Sequence, residues 1–348
     1  MNRRTFLRTG AGLAGSAAAI AGSSCGSSRR RLNVFNWDAY VAPTTIPDFE
    51  REFSCKVRYA TYGSAEEMLA RVMAGNSGWD VVFPSNSFVR PMHELDLLEP
   101  IDHGRLKLLG NLDKHFRSPE WDPGLEWCVP YMYSSTGILY SKKVSRPPKA
   151  WADLWTDSYS RRTTMLDDPA EVFGACLKVM GDSVNATDDG QLKSARDLAI
   201  RQKPLLRAYL NEEVRDQVVA GDVLVAQMWA QVAQVAIDAN ADLAFAFPAE
   251  GFPLYADNCA VLRESRHKDL AWEFLDYLLR PKVALDIVIA MRTATVNREA
   301  RALLPENLRT NEVLYPGDET LRRGEWFRPL PGEAQKRRDV YWTEVKSA

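Results

Sequence analysis

Trp37, Asp38 and Tyr40 stand where an apolar run at 32–35 gives way to Ala42-Pro43-Thr44. The run reads as a short buried strand, and the Pro and Thr residues after it carry helix-starting chemistry. Two aromatic rings and a carboxylate at a strand-to-helix junction can grip an organic cation through ring faces and opposite charge. They can equally cover the top of a sheet. The combination recurs along the chain. Ser85 ends the run at 79–85, Asp168 and Glu171 follow the run at 163–166, Trp229 ends the run at 223–229, and Tyr255 and Asp257 close the run at 253–257. In open α/β sheets, ligands bind at the carboxyl ends of strands. Collected there, these residues form an aromatic box with acidic ends, suited to a methylene chain and its ammonium groups.

Other chemistry is sparse. His93, His103, His115 and His267 show no paired ligand spacing, so neither a metal nor a cofactor is expected. No nucleophile elbow and no phosphate loop is present. Asp168 and Glu171 could act as the acid/base pair of a hydrolase. The plainer reading is an N-capping Asp168 with a first-turn Glu171 favoured by the helix dipole. The pattern indicates recognition rather than catalysis.

The elements that must position these residues follow from periodicity. Strands are expected at 32–35, 56–61 and 79–85, with helices at 44–53 and from Ser64 onward. The second helix should turn Met68, Leu69, Val72 and Met73 inward and stop at 75–78. Strand and helix alternating at this spacing mean a parallel sheet with right-handed crossovers. The stretches 129–133 and 136–140 read as two strands around a Ser134-Ser135 turn, crossing to a second unit that begins near 151–155. That unit shows a strand at 163–166, a helix opened by Asp168, a long amphipathic helix at 191–209, and strands at 223–229 and 243–248. The stretches 253–257 and 258–262 read as the return crossing. Helices at 267–279 and 281–290 and a charged, aromatic helix within 324–348 complete the chain.

With 348 residues the chain is long enough for two domains, and its 46% hydrophobic and 26% charged residues are ordinary for a globular protein. The formal net charge is −2, and the absence of a Lys/Arg block argues against nucleic acid. Residues 1–25 read as a twin-arginine export signal: Arg3-Arg4, then apolar residues, then a Gly/Ala-rich run. Loss of that segment, with Arg3, Arg4 and Arg8, makes the chain more acidic. The segment ends Ala21-Gly22-Ser23-Ser24-Cys25, which resembles a lipoprotein cleavage box with Cys25 as the acylated residue, although Gly22 stands where a larger apolar residue is usual. Plain signal cleavage is the alternative. Beyond this leader no apolar stretch is long enough to span a bilayer, so membrane contact is expected only through a lipid anchor at Cys25. Cys55, Cys128, Cys176 and Cys259 read as small buried hydrophobes first and as disulfide partners second.

The chain also resembles a family, the periplasmic spermidine/putrescine-binding proteins, which are the substrate-binding components of polyamine ABC importers. The likeness is carried by Phe35-Asn36-Trp37 with Tyr40, Thr61-Tyr62, the run at 79–85, Trp151 to Trp155, Asp167-Asp168 with Glu171-Val172-Phe173, Tyr255-Ala256-Asp257, Leu278-Leu279-Arg280-Pro281, Leu314-Tyr315-Pro316 and Gly324-Glu325-Trp326. It implies an α/β fold of two lobes, each a mostly parallel sheet flanked by helices, joined by crossing strands around a cleft. The lobes are expected at 31–135 with 258–303 and at 136–257 with 304–348. By the resemblance Trp37, Tyr40, Ser85, Trp229 and Tyr255 line the cleft, and Asp168, Glu171 and Asp257 contact amine nitrogens. Asp38 joins the set from its place in the first motif. The implied partners are a polyamine and an inner-membrane ABC permease, in the periplasm. The chain departs from the family's spermidine binders at Ala39, where an acidic residue often precedes the Tyr. It also departs at Ser87 and Thr293, in place of aromatics, and at Phe327, in place of a Gln. Another organic cation or small solute held by the same fold is the alternative ligand, and an exported carboxylate-dependent hydrolase is the alternative class.

Overall fold

A computed structural model describes residues 30–348. The leader and Cys25 lie outside the described residues. The strands are β1 (Arg30–Trp37), β2 (Cys55–Tyr62), β3 (Val81–Val82), β4 (Val129–Ser141), β5 (Thr163–Met165), β6 (Leu206–Tyr209), β7 (Val225–Trp229), β8 (Leu243–Ala246), β9 (Phe252–Val261), β10 (Ala294–Thr295) and β11 (Gly324–Trp326). They form one mixed sheet whose main path runs β2-β1-β3-β9-β4-β7-β5-β6. The first half, β2-β1-β3, is parallel, as the strand-helix alternation requires. In the second half β6, β5 and β7 are parallel.

Two long strands belong to both halves. The first part of β4 pairs with β9, from Val129 opposite Cys259 to Ser135 opposite Leu254. Its second part pairs with β7 and β8, from Thr136 opposite Trp229 onward. In turn β9 reaches β3 at Val261 and takes β11 alongside Phe252. Each half carries its own core. One is built on Leu32, Phe35, Phe49, Met68, Phe83, Val129 and Phe274, the other on Ile138, Trp151, Met165, Phe173, Leu192 and Phe252. The molecule is a two-lobed α/β protein joined by crossing strands.

Several expectations change. Ser134-Ser135 makes no turn: both lie buried within the thirteen-residue β4, because a continuous strand satisfies their amides against β9. Likewise 253–257 and 258–262 are one strand apart from Leu262, which sits in an isolated bridge to Leu98. The long helix expected at 191–209 ends at Gln202. Pro204 sits in a short 3-10 turn just after it, and 206–209 becomes β6. The third strand shrinks to Val81–Val82. Thr44 precedes its helix without a side-chain cap, whereas Ser64 accepts from Glu67 N as expected. Met73 is 54% exposed, off the buried stripe of Met68 and Val72. Cys55, Cys128, Cys176 and Cys259 are buried free thiols. Among the described residues no helix is long and apolar enough to cross a membrane.

Candidate binding cleft

Strand periodicity selects the cleft floor. Residues two apart on a strand, and residues directly opposite across a pair, share a face. Ser134 lies opposite Tyr255, Met132 opposite Asp257 and Thr136 opposite Trp229. Ser134, Thr136, Tyr255, Asp257 and Trp229 therefore share one face where the two halves meet. Strand-to-helix junctions add the walls. Ser85, Asp168 and Trp229 are each the residue that precedes a helix, Asn86–Glu94, Pro169–Val179 and Ala230–Ala239 respectively.

Around Asp257 the first half supplies rings. Tyr40 Oη donates to Asp257 Oδ2 at 2.6 Å, and Tyr131 Oη donates to the Tyr40 carbonyl at 2.7 Å. Trp37 Nε1 donates to the Phe83 carbonyl at 2.9 Å, and its ring meets the edge of Tyr62 with centroids 4.7 Å apart. Ala39, at φ +49°, holds the bend between Trp37 and Tyr40 in the left-handed region that a non-glycine residue seldom adopts. A bridge between Ser85 and Asp257 brings those two together, with Ser85 Oγ 3.4 Å from Ser87 Oγ. Asp257 is buried, and burial pushes its carboxyl up to about 7 while the Tyr40 hydroxyl pulls the other way.

The second half presents Glu171. Its Oε1 accepts from Thr136 Oγ1 at 2.8 Å and from Trp229 Nε1 at 3.0 Å. Its Oε2 is sealed from solvent and has no hydrogen-bond partner. Burial, with the Asp168 charge adding to it, pushes the Glu171 carboxyl up to about 8. No Lys or Arg pairs with Glu171 or Asp257 among the described residues. A buried carboxylate without a cation is costly, so both sites favour a proton or a positively charged guest.

Trp37, Tyr40, Ser85 and Asp257 thus come together as expected, and so do Glu171 and Trp229. Tyr255 lies between the groups: its hydroxyl and that of Ser134 both donate to Gln231 Oε1, at 2.9 and 2.6 Å. Asp168 performs the plainer of its two tasks, since its Oδ1 accepts from Ala170 N and Glu171 N at 2.8 and 3.1 Å. Asp38 is exposed and makes none of these contacts; the carboxylate facing it is Glu212, raised by burial and then by Asp38. Gln231, Thr136, Tyr62, Tyr131 and Glu212 were not read from the sequence as site residues. Gln231 carried a usable signal, two residues past Trp229 at a strand-to-helix junction.

Two lobes on shared strands, with acids and rings gathered between them, define a binding protein of the two-lobed extracytoplasmic class. The chain belongs to the bacterial extracellular solute-binding protein family, which matches residues 45–312. It is 30% identical over 345 residues to a putrescine/cadaverine-binding protein of Pseudomonas aeruginosa, covering 95% of this chain and 97% of that one. It is 30% identical over 347 residues to the spermidine/putrescine-binding periplasmic protein of Salmonella typhimurium, covering 99% and 98%. A crystal structure of a spermidine/putrescine ABC transporter substrate-binding protein from Streptococcus pneumoniae superposes with a TM-score of 0.81 at 26% identity, covering 91% of this chain and 99% of that one.

Proposed function

We propose that this protein is an extracytoplasmic receptor that closes its lobes on a polyamine of the putrescine/spermidine class and delivers it to an inner-membrane ABC permease. The observation that carries the reading is the pair of buried, cation-free carboxylates. Glu171 has an oxygen with no partner, and Asp257 is bonded to the Tyr40 hydroxyl. An ammonium group offers what each lacks, charge and several donors. Trp37, Tyr40, Trp229 and Tyr255 offer ring faces to the methylene chain, and Ser85 a hydroxyl beside Asp257. Asp168 and Asp38 add negative field at the rim. The names of the relatives point to the same ligands. Turnover is not expected: Asp168 Oδ1 is occupied by two backbone amides, and the family is one of transport binding proteins.

Calorimetry with putrescine, cadaverine, spermidine and spermine tests the reading. Saturable binding of one or more, weakened by salt, is expected; binding of none overturns it. The lobes are assigned as 31–135 with 258–303 and 136–257 with 304–348. The packing of Leu304, Leu308, Leu314 and Tyr315 with Val288 and Ala294 favours moving the last boundary past Tyr315. Export by the twin-arginine route and acylation at Cys25 complete the proposal. Fatty-acid labelling should mark the wild type and spare Cys25→Ala, and equal labelling refutes the anchor.

A further inference from the structure

Resting on the receptor reading, one charged group on a helix packed beside the start of helix Pro169–Val179 still lacks a role. Arg338 lies on the helix Gly332–Ser347. That helix is fastened beside the start of helix Pro169–Val179: Lys346 Nζ donates to Asp167 Oδ1 at 2.7 Å, and the Trp342 ring meets Phe173 with centroids 6.5 Å apart. Neighbouring cations on the same helix reach solvent, Lys336 at 75% and Arg337 at 43% side-chain exposure. Arg338 turns inward. It is half-buried, its Nη2 donates to Gln335 Oε1 at 2.8 Å, and its Nε is sealed from solvent without a partner.

The carboxylates it faces come from both lobes. They are Asp168 at the cleft, Asp339 on its own helix, and Glu66 at the start of helix Ala65–Met73 in the first lobe. None of them forms an ion pair with it among the described residues. Burial draws the Arg338 guanidinium below its ordinary value while these acids oppose the fall. The Arg338 charge in turn opposes the rise that burial imposes on Asp168 and Glu66. A partly buried guanidinium with an unmet donor is unfavourable for stability alone.

We propose that Arg338 determines specificity, setting a charge of the protein's own beside Asp168 where a further ammonium group would otherwise sit, so that the cleft favours diamines over triamines and tetramines. Glu171 and Asp257 provide for two ammonium groups. A third, near Asp168, meets a carboxylate already offset by Arg338 and a like charge that repels it. Discrimination by a repulsive element is a general route to specificity.

Calorimetric affinities for putrescine and spermidine, with unliganded melting temperatures, test this in the wild type, Arg338→Gln and Arg338→Lys. The wild type should prefer putrescine. Arg338→Gln should shift the ratio toward spermidine by about tenfold or more, and Arg338→Lys should keep the wild-type ratio. Should Arg338→Gln not fold, Glu66→Gln gives the opposite sign, sharpening the preference for putrescine. A wild type that prefers spermidine, or a ratio that no variant moves while both ligands still bind, overturns the inference and leaves the receptor reading standing. A wild type that binds neither ends both.

Discussion

Replacing Asp257 by Asn removes a charge but keeps an oxygen that can accept from Tyr40 Oη. Truncating one side of a desolvated charge pair costs about 2–5 kcal/mol, and each ~1.4 kcal/mol is tenfold, so polyamine affinity should fall by at least an order of magnitude in calorimetry. The unliganded melting temperature should hold or rise, because a buried carboxylate is replaced by a neutral amide. A variant that melts far lower yet binds as tightly would make Asp257 a structural residue. The same burial sets a pH dependence. The carboxyls of Asp257 and Glu171 are raised to about 7 and about 8, so the folded protein holds protons that the unfolded chain releases near pH 4. Unliganded stability is therefore fullest below about pH 4 on account of these groups and falls as pH rises through 7 to 8. Affinity for a dication moves the other way, rising across that interval as the carboxyls ionise. Melting curves and titrations from pH 5 to 9 should show the two trends crossing; parallel trends would contradict them. These acids were legible because carboxylates that close an apolar run stand out in a sequence, although Asp257 proves to lie within β9. Arg338 was not, since one cation on a helix full of charge carries no sign of which way it turns.

Between elements, a close approach occurs at Gly137 in β4. A Cβ there would fall on the Phe245 ring and 2.7 Å from the Ala246 carbonyl of β8. Gly137→Ala should destabilise by about 1–3 kcal/mol through overpacking, read from denaturant unfolding, and a neutral result would mean that β8 yields. Most elements could be read from hydrophobic period, and the misreadings have physical causes. Ser134-Ser135 looks like a turn because Ser favours turns locally, yet Ser134 Oγ donates to Gln231, and β9 takes up the strand amides. The helix expected to run through 209 overlooked Pro204, which lacks the amide a helix needs. Register was beyond the sequence altogether, and it is register that sets Thr136 beside Trp229 and within reach of Glu171.

At the scale of the molecule, the two halves touch beyond the shared strands. Arg328 makes two hydrogen bonds to Glu120, and Arg292 Nε donates to Asp238 at 2.6 Å. Exposed pairs of this kind add little, about 0–1 kcal/mol each, so they cannot hold the lobes shut unaided. Ligand should supply the rest by hinge closure. Small-angle scattering should show a smaller radius of gyration with saturating polyamine, and an unchanged radius would count against closure. The doubly shared β9 has a further consequence, for biosynthesis. Val129 pairs with Cys259, and β3 pairs with β9 through Val81 and Val261. A growing chain thus carries β3 and β4 as open edges until residue 261 has emerged. At about 5–20 residues per second that wait is on the order of ten seconds, long for strands whose unpaired edges can join other chains. Because both lobes draw on β9, neither can finish ahead of the other, and the nascent protein depends on whatever shields those edges until that one strand arrives.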